Sequence, residues 1–181
     1  NHGFFHFDGT SWRPVLSNAS TDTGTVSVVS FVDGASSGFV WAFDTGRTIW
    51  RLVAGNWVRS TSGSPLTAPD TLAGLWVESA SKVWFTGSFG LLMFDEATGY
   101  GAKQAVPSLG GTGATVVRGV RRSPTKGLVA IGESGGRGVI WAFDGTAWNV
   151  QSVLGRKLYA IDLDGNGFVV GGEYGALLRQ Q

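Results

Sequence analysis

The segment Phe143-Asp144-Gly145-Thr146-Ala147-Trp148 repeats an earlier one, Phe7-Asp8-Gly9-Thr10-Ser11-Trp12, and the two copies stand 136 residues apart. Taken as equivalent points of a repeat, they are separated by three units of about 45 residues, a period characteristic of propellers and solenoids. That period divides the chain into a partial blade over residues 1–25, whole blades over 26–70, 71–114 and 115–155, and a partial blade over 156–181.

Each whole unit reads as four short apolar, β-rich pieces bounded by Gly, Asp, Asn or Ser. In the first they cover 26–32, 38–43, 47–53 and 56–59; in the second 72–78, 82–86, 91–94 and 101–106; in the third 115–121, 127–131, 138–143 and 148–153. The last partial unit supplies 157–163, 168–172 and 176–179, and the first supplies 3–7 and a strand from Trp12 to Val15. No stretch longer than a turn or two carries helical periodicity, so the expected fold is all-β, a β-propeller of four-stranded antiparallel blades forming one domain. Both ends of the chain contain a third strand, and simple ring closure would leave one strand over. The expectation is therefore a piece of a larger ring, or a ring completed by another chain or by other parts of the same protein.

The charge balance of 14 basic and 13 acidic residues argues against nucleic acid or an anionic membrane surface as partner. Cysteine is absent, which removes disulfides and thiolate chemistry, and no apolar run reaches the length of a membrane span. Scarce lysine and eight tryptophans give the chain the flavour of an exported β protein. The expected location is extracytoplasmic, secreted or on a particle surface. Asn18-Ala19-Ser20 fits a glycosylation acceptor, a pattern common by chance.

The pattern of a strand ending in Gly-x-x-Gly followed by Phe-Asp-Gly-x-x-Trp resembles the bacterial β-propellers of the sialidase-like (BNR-type) and photosystem-assembly-factor-like superfamily, over nearly the whole chain. The Asp-box of true sialidases is not intact, because Asp44-Thr45-Gly46-Arg47-Thr48-Ile49-Trp50 has one residue too many before the tryptophan. Sialidase chemistry is accordingly not implied. Val40-Trp41 with Trp57 resembles tectonin-type lectin propellers, which implies a carbohydrate ligand. Ala42-Phe43-Asp44-Thr45-Gly46 more weakly resembles quinoprotein-like propellers.

Candidate site residues fall into three groups. Asp162, Asp164, Asn166 and Glu173 match the spacing of a calcium loop, yet no helix-forming segment flanks them, and Glu173 aligns with Asp44, Ser88 and Glu133 at one polar turn position of the repeat. The reading favours a tight hairpin turn, with no settled metal site. Arg118, Arg121 and Arg122 fall on one inner strand and Arg156 and Lys157 at the start of the next, where they form either a receptor for a carboxylate or sulfate or a solvated, partly paired edge. Trp12, Trp57 and Trp148 recur in outer strands and Trp41, Trp84 and Trp141 in middle strands, which points to packing. Trp50 and Trp76 have no repeat equivalent and are the candidates for exposed stacking on a sugar or peptide.

His2 and His6 share a strand face but lack a third ligand, and no nucleophile elbow or triad is present. Glu78, Glu133, Asp162, Asp164 and Glu173 are the acids available for glycoside hydrolysis. No catalytic residue and no cofactor is implied. The expected function is a non-enzymatic binding or scaffolding propeller module recognising protein or glycan; a tectonin-like lectin is the second expectation and a carbohydrate-active enzyme the third.

Overall fold

The computed structural model describes residues 5–7, 9–14, 29–36, 39–53, 55–60, 66–165 and 167–180. His2, Asn18 and Asn166 lie outside them, as do Asp8 of the first Phe-Asp-Gly copy and the beginning of the strand expected from residue 26. The fold is all-β, a propeller built of four-stranded antiparallel blades. The chain forms two compact units, Asn1–Thr67 and Ala68–Gln181.

The first unit holds a hairpin, β1 (Phe5–Phe7) and β2 (Trp12–Pro14), and a sheet of β3 (Val29–Ser36), β4 (Phe39–Asp44), β5 (Ile49–Val53) and β6 (Asn56–Arg59) in sequential order. Ala42, Trp50 and Trp57 form its buried cluster, packed by Val29, Val40 and Leu52. Trp12 departs from the packing role expected of it and is exposed, standing in a sheet that has two strands among the described residues.

The second unit contains β7 (Leu72–Val77), β8 (Lys82–Gly87), β9 (Gly90–Asp95) and β10 (Gly99–Tyr100) in one sheet, and β11 (Val116–Ser123), β12 (Gly127–Ser134), β13 (Arg137–Phe143) and β14 (Trp148–Leu154) in the next. A third sheet has β15 (Leu158–Asp164), β16 (Gly167–Gly172) and β17 (Leu177–Gln180). The inner strands β7, β11 and β15 lie side by side.

The core of this unit sits between sheets, and β12 shows why its sequence is almost continuously apolar. Leu128 and Ala130 face one way, into a cluster with Trp84, Leu91, Val117, Val120, Trp141 and Trp148. Val129 and Ile131 face the other way, into a cluster with Leu158, Ile161, Phe168 and Val170. Side chains alternate across a strand, so a strand buried on both faces needs apolar residues at every position. Each such buried valine, leucine or isoleucine contributes about 1.5–3 kcal/mol relative to exposure.

The fourth strand expected at 101–106 is a correction: β10 is two residues long, and the following run touches β9 through separate contacts. Gly101 N donates to Met93 O at 2.9 Å, and Leu91 and Gln104 exchange hydrogen bonds at 2.9 and 2.7 Å. At Gly90 (φ 91°) a Cβ would stand 2.2 Å from Gln104 O, so this approach needs glycine. Pro107 then ends any ladder for want of an N–H. The next sheet pins the run instead: Trp141 Nε1 donates to Pro107 O and Trp148 Nε1 to Gln104 Oε1, each at 3.0 Å.

Candidate functional site

The inner strands share one irregularity. The pairing of each with its second strand skips a residue at Ser30 in β3, Ala73 in β7, Arg118 in β11 and Tyr159 in β15, a β-bulge near the start of each of these four strands. A bulge twists the strand and re-aims the extra side chain. In the second unit it also brings the carbonyl two residues upstream against the second strand. A Cβ on Gly87, Gly132 or Gly172 would lie 2.0, 2.0 or 2.4 Å from the carbonyl oxygens of Thr71, Val116 and Lys157 respectively. The glycine that recurs at the end of the second strand is the residue that makes room for the bulge.

Arg118 and Tyr159 are therefore equivalent residues of adjacent sheets, and they meet: the Arg118 guanidinium stands 5.1 Å from the centre of the Tyr159 ring. Arg118 also pairs with Glu133 at the end of β12, and Lys157 Nζ reaches the other oxygen of the same carboxylate at 2.8 Å. Tyr159 donates its hydroxyl to Glu173 Oε1 at 3.1 Å, and Glu173 Oε2 accepts the Lys157 backbone N–H at 3.2 Å. Just beyond, Tyr174 is 90% exposed, with left-handed backbone (φ 55°, ψ 33°) and the Arg156 guanidinium 5.5 Å from its ring. A bulky residue in this region is uncommon, and strain of this kind concentrates at functional surfaces.

Burial works to raise the Glu133 pKa, but hydrogen bonds from Lys157 and Arg118 and their charges outweigh it, and the carboxyl is held below its usual range. The Lys157 ammonium is raised in return, first by its hydrogen bond to Glu133. Tyr159 is raised by burial and by its bond to Glu173, which keeps it a neutral donor. A carboxyl locked in its ionised form by two cations is poorly suited to general-acid duty, which needs a raised pKa.

At the opposite end of the inner strands the charges are matched. Arg122 pairs with Glu78, which also accepts Trp84 Nε1 at 2.7 Å. Arg121 approaches Asp162 Oδ1 at 3.5 Å and lies 5.6 Å from the Trp76 ring, and Arg179 pairs with Asp164. The three arginines expected to act together are thus split, Arg118 to one end of β11 and Arg121 and Arg122 to the other, each with an acid beside it.

Trp50 is a correction. It is 1% exposed and donates Nε1 to Asp44 Oδ2 at 3.0 Å, so it is a packed core residue and no stacking platform. Trp76 is half-buried, packed against the core cluster and faced by Arg121.

The calcium-like set is not assembled. Asp162 and Asp164 lie at one end of the β15–β16 hairpin, where Asp164 pairs with Gly167 across a tight turn, and both are engaged by arginines. Glu173 follows β16 at the other end, and Asn166 is outside the described residues. The shared polar turn position serves the blade. Ser88 and Glu173 both donate backbone N–H to the residue that opens the inner strand, Thr71 or Lys157, at 3.0 Å, and both accept that residue's N–H with a side-chain oxygen.

Tyr159 and Tyr174 were not singled out by sequence. The bulge frame was the available signal for Tyr159, since it aligns with Arg118; Tyr174 could be noticed only as a tyrosine in a Glu-Tyr-Gly turn.

No family model and no curated protein matches the chain. Among solved structures, YCF48 from Cyanidioschyzon merolae superposes on 94% of this chain with a TM-score of 0.66 and 19% identity. The extracellular domain of a putative hybrid two component system from B. thetaiotaomicron covers 99% with a TM-score of 0.51 and 11% identity. A structure of YCF48 bound to D1 peptide covers 94% with a TM-score of 0.46 and 14% identity. The chain spans 57% and 30% of the lengths of the first two. The first two likenesses are of fold alone, and at that level they bear out the propeller read from the repeats.

Proposed function

We propose that the chain is a non-enzymatic binding module, exported or carried on a particle surface, that recognises a protein partner through the bulge end of its inner strands, with Tyr159, Tyr174, Arg118 and Arg156 as the contact residues. The observation that carries this reading is Tyr174, a large aromatic almost fully exposed, held in a costly backbone conformation and flanked by a stacked guanidinium. Tyrosine and arginine are the residue types that dominate binding energy at protein interfaces, because they offer large area with few rotors to immobilise. Arg118 Nε is buried and donates no hydrogen bond, a donor in surplus beside this surface. The ionised, doubly paired Glu133 supports a binding role over hydrolysis.

The test is retention of a partner by the full chain and its loss with Tyr159→Ala and Tyr174→Ala. Elution by free sugar would instead identify a lectin. Glycoside turnover that disappears with Glu133→Gln would make the chain an enzyme.

A further inference from the structure

We infer that Arg137 and Arg156 form a receptor for a phosphate monoester carried by the partner polypeptide. The inference rests on the reading of the bulge end as a binding surface and names the chemistry recognised there. The other arginines of the second unit each stand beside an acid: Arg118 with Glu133, Arg121 with Asp162, Arg122 with Glu78 and Arg179 with Asp164. Arg137 and Arg156 are both exposed, and among the described residues neither has an acid partner; the contact that Arg156 makes is with the Tyr174 ring. At this end Lys103 is taken up by Asp70, Glu133 by Arg118 and Lys157, and Glu173 accepts the Tyr159 hydroxyl. Five cations (Lys103, Arg118, Arg137, Arg156, Lys157) thus face three acids (Asp70, Glu133, Glu173), an excess of two positive charges among the described residues.

The fold brings the two arginines together between the last two sheets. Arg137 closes the β12–β13 hairpin opposite Ser134, across Gly135 and Gly136 at φ 57° and 77°, the backbone of a tight two-residue turn. Ser134 fixes that turn: it is fully buried, and its hydroxyl accepts the Leu109 N–H at 2.9 Å. Arg156 lies between β14 and β15, where its carbonyl oxygen would stand 2.0 Å from a Cβ on Gly138. Glycine at 138 permits that approach, which sets the Cα atoms of Arg137 and Arg156 within about 10 Å of each other. Long, flexible side chains converge across such a span, and the flanking Gly136, Gly138 and Gly155 carry none that would screen them. Two unpaired positive charges are matched by a dianion. A phosphate monoester carries about −1.5 to −2 charges at pH 7 and three strong acceptor oxygens, which suit bidentate bonds from two guanidiniums; a carboxylate brings a single charge.

The probes are a glycine-rich synthetic peptide bearing one phosphoserine and the same peptide with glutamate or serine in its place, titrated into the full chain by isothermal calorimetry, with inorganic phosphate as competitor. The expected results are saturable binding of the phosphoserine peptide, affinity at least tenfold weaker for the glutamate peptide, none for the serine peptide, and displacement by inorganic phosphate. Arg137→Gln and Arg156→Gln should each weaken binding at least tenfold at an unchanged melting temperature. Lys126→Gln, which removes an exposed cation from the opposite end of β12, should leave it unaltered. No saturable binding, equal affinity for the glutamate peptide, or an equal loss with Lys126→Gln would overturn the proposal, the last because it would show attraction to net charge alone. Failure here is separable from failure of the tyrosine surface, which is read from partner affinity in Tyr159→Ala and Tyr174→Ala.

Discussion

Tyr159 and Arg118 occupy the same bulge position in adjacent sheets, and the guanidinium of Arg118 stands 5.1 Å from the centre of the Tyr159 ring. The contact joins two blades at the end of the inner strands where Glu133, Lys157 and Glu173 also meet. One repeated irregularity thus creates both the packing requirement, glycine on the second strand, and the surface on which binding is proposed.

Replacing Gly132 by alanine should destabilise the second unit by about 1–3 kcal/mol or more, because the new Cβ would lie 2.0 Å from Val116 O and the backbone must move. Gly155→Ala, with nothing within 4 Å, is the control and should be nearly neutral. Urea unfolding of both variants checks this; equal midpoints would refute the link between glycine and bulge.

Trp148→Ala should cost about 3–5 kcal/mol, the usual range for removing a buried tryptophan. It lies in the cluster shared by two sheets and holds Gln104 at 3.0 Å. Trp148→Phe keeps most of the area, loses the hydrogen bond, and should cost clearly less. An unchanged melting temperature for Trp148→Ala would contradict the core described here.

The tie formed by Glu133, Arg118 and Lys157 makes stability depend on pH in a definite sense. The lowered Glu133 pKa contributes stability above the ordinary glutamate value of about 4.3 that is lost as pH falls through the lowered value. The raised Lys157 pKa contributes stability below about 10.4 that is lost as pH rises through its raised value. At neutral pH Glu133→Gln should therefore be less stable than the parent by about 1–3 kcal/mol, and the gap should close as the pH drops below about 4. A gap that stays constant from neutral pH down to pH 3 would show that the carboxylate is not the source.

Calcium at millimolar concentration should leave the melting temperature unchanged. A site with a micromolar dissociation constant would add more than about 2.7 kcal/mol under those conditions, and differential scanning fluorimetry would detect it. Such a shift would contradict the pairing of Asp162 with Arg121 and of Asp164 with Arg179.

The blade order, the tight turn after Asp164 and the burial of Trp41, Trp57, Trp84, Trp141 and Trp148 were legible in the sequence, because period and apolar alternation are properties of the chain itself. The short β10 was not, since its geometry is set by tryptophans of the following sheet that capture Gln104 and Pro107. Trp50 was misread for a related reason: lacking a repeat partner, it looked free, and its inward turn depends on a buried acceptor, Asp44. The arginines were read as one group because they are neighbours in sequence. The bulge at Arg118 changes which end and which acid each one meets.

The central claim, binding through the tyrosine surface without chemistry, is tested most directly by measuring partner affinity for the parent chain and for Tyr159→Ala, Tyr174→Ala and the exposed control Trp12→Ala, with melting temperatures recorded alongside. The account predicts at least a tenfold loss for each tyrosine variant, in keeping with the 1.4 kcal/mol or more expected of an interface anchor, no change for Trp12→Ala, and melting temperatures close to the parent for Tyr174→Ala. Undiminished affinity in both tyrosine variants, or partner release by free sugar, would contradict it.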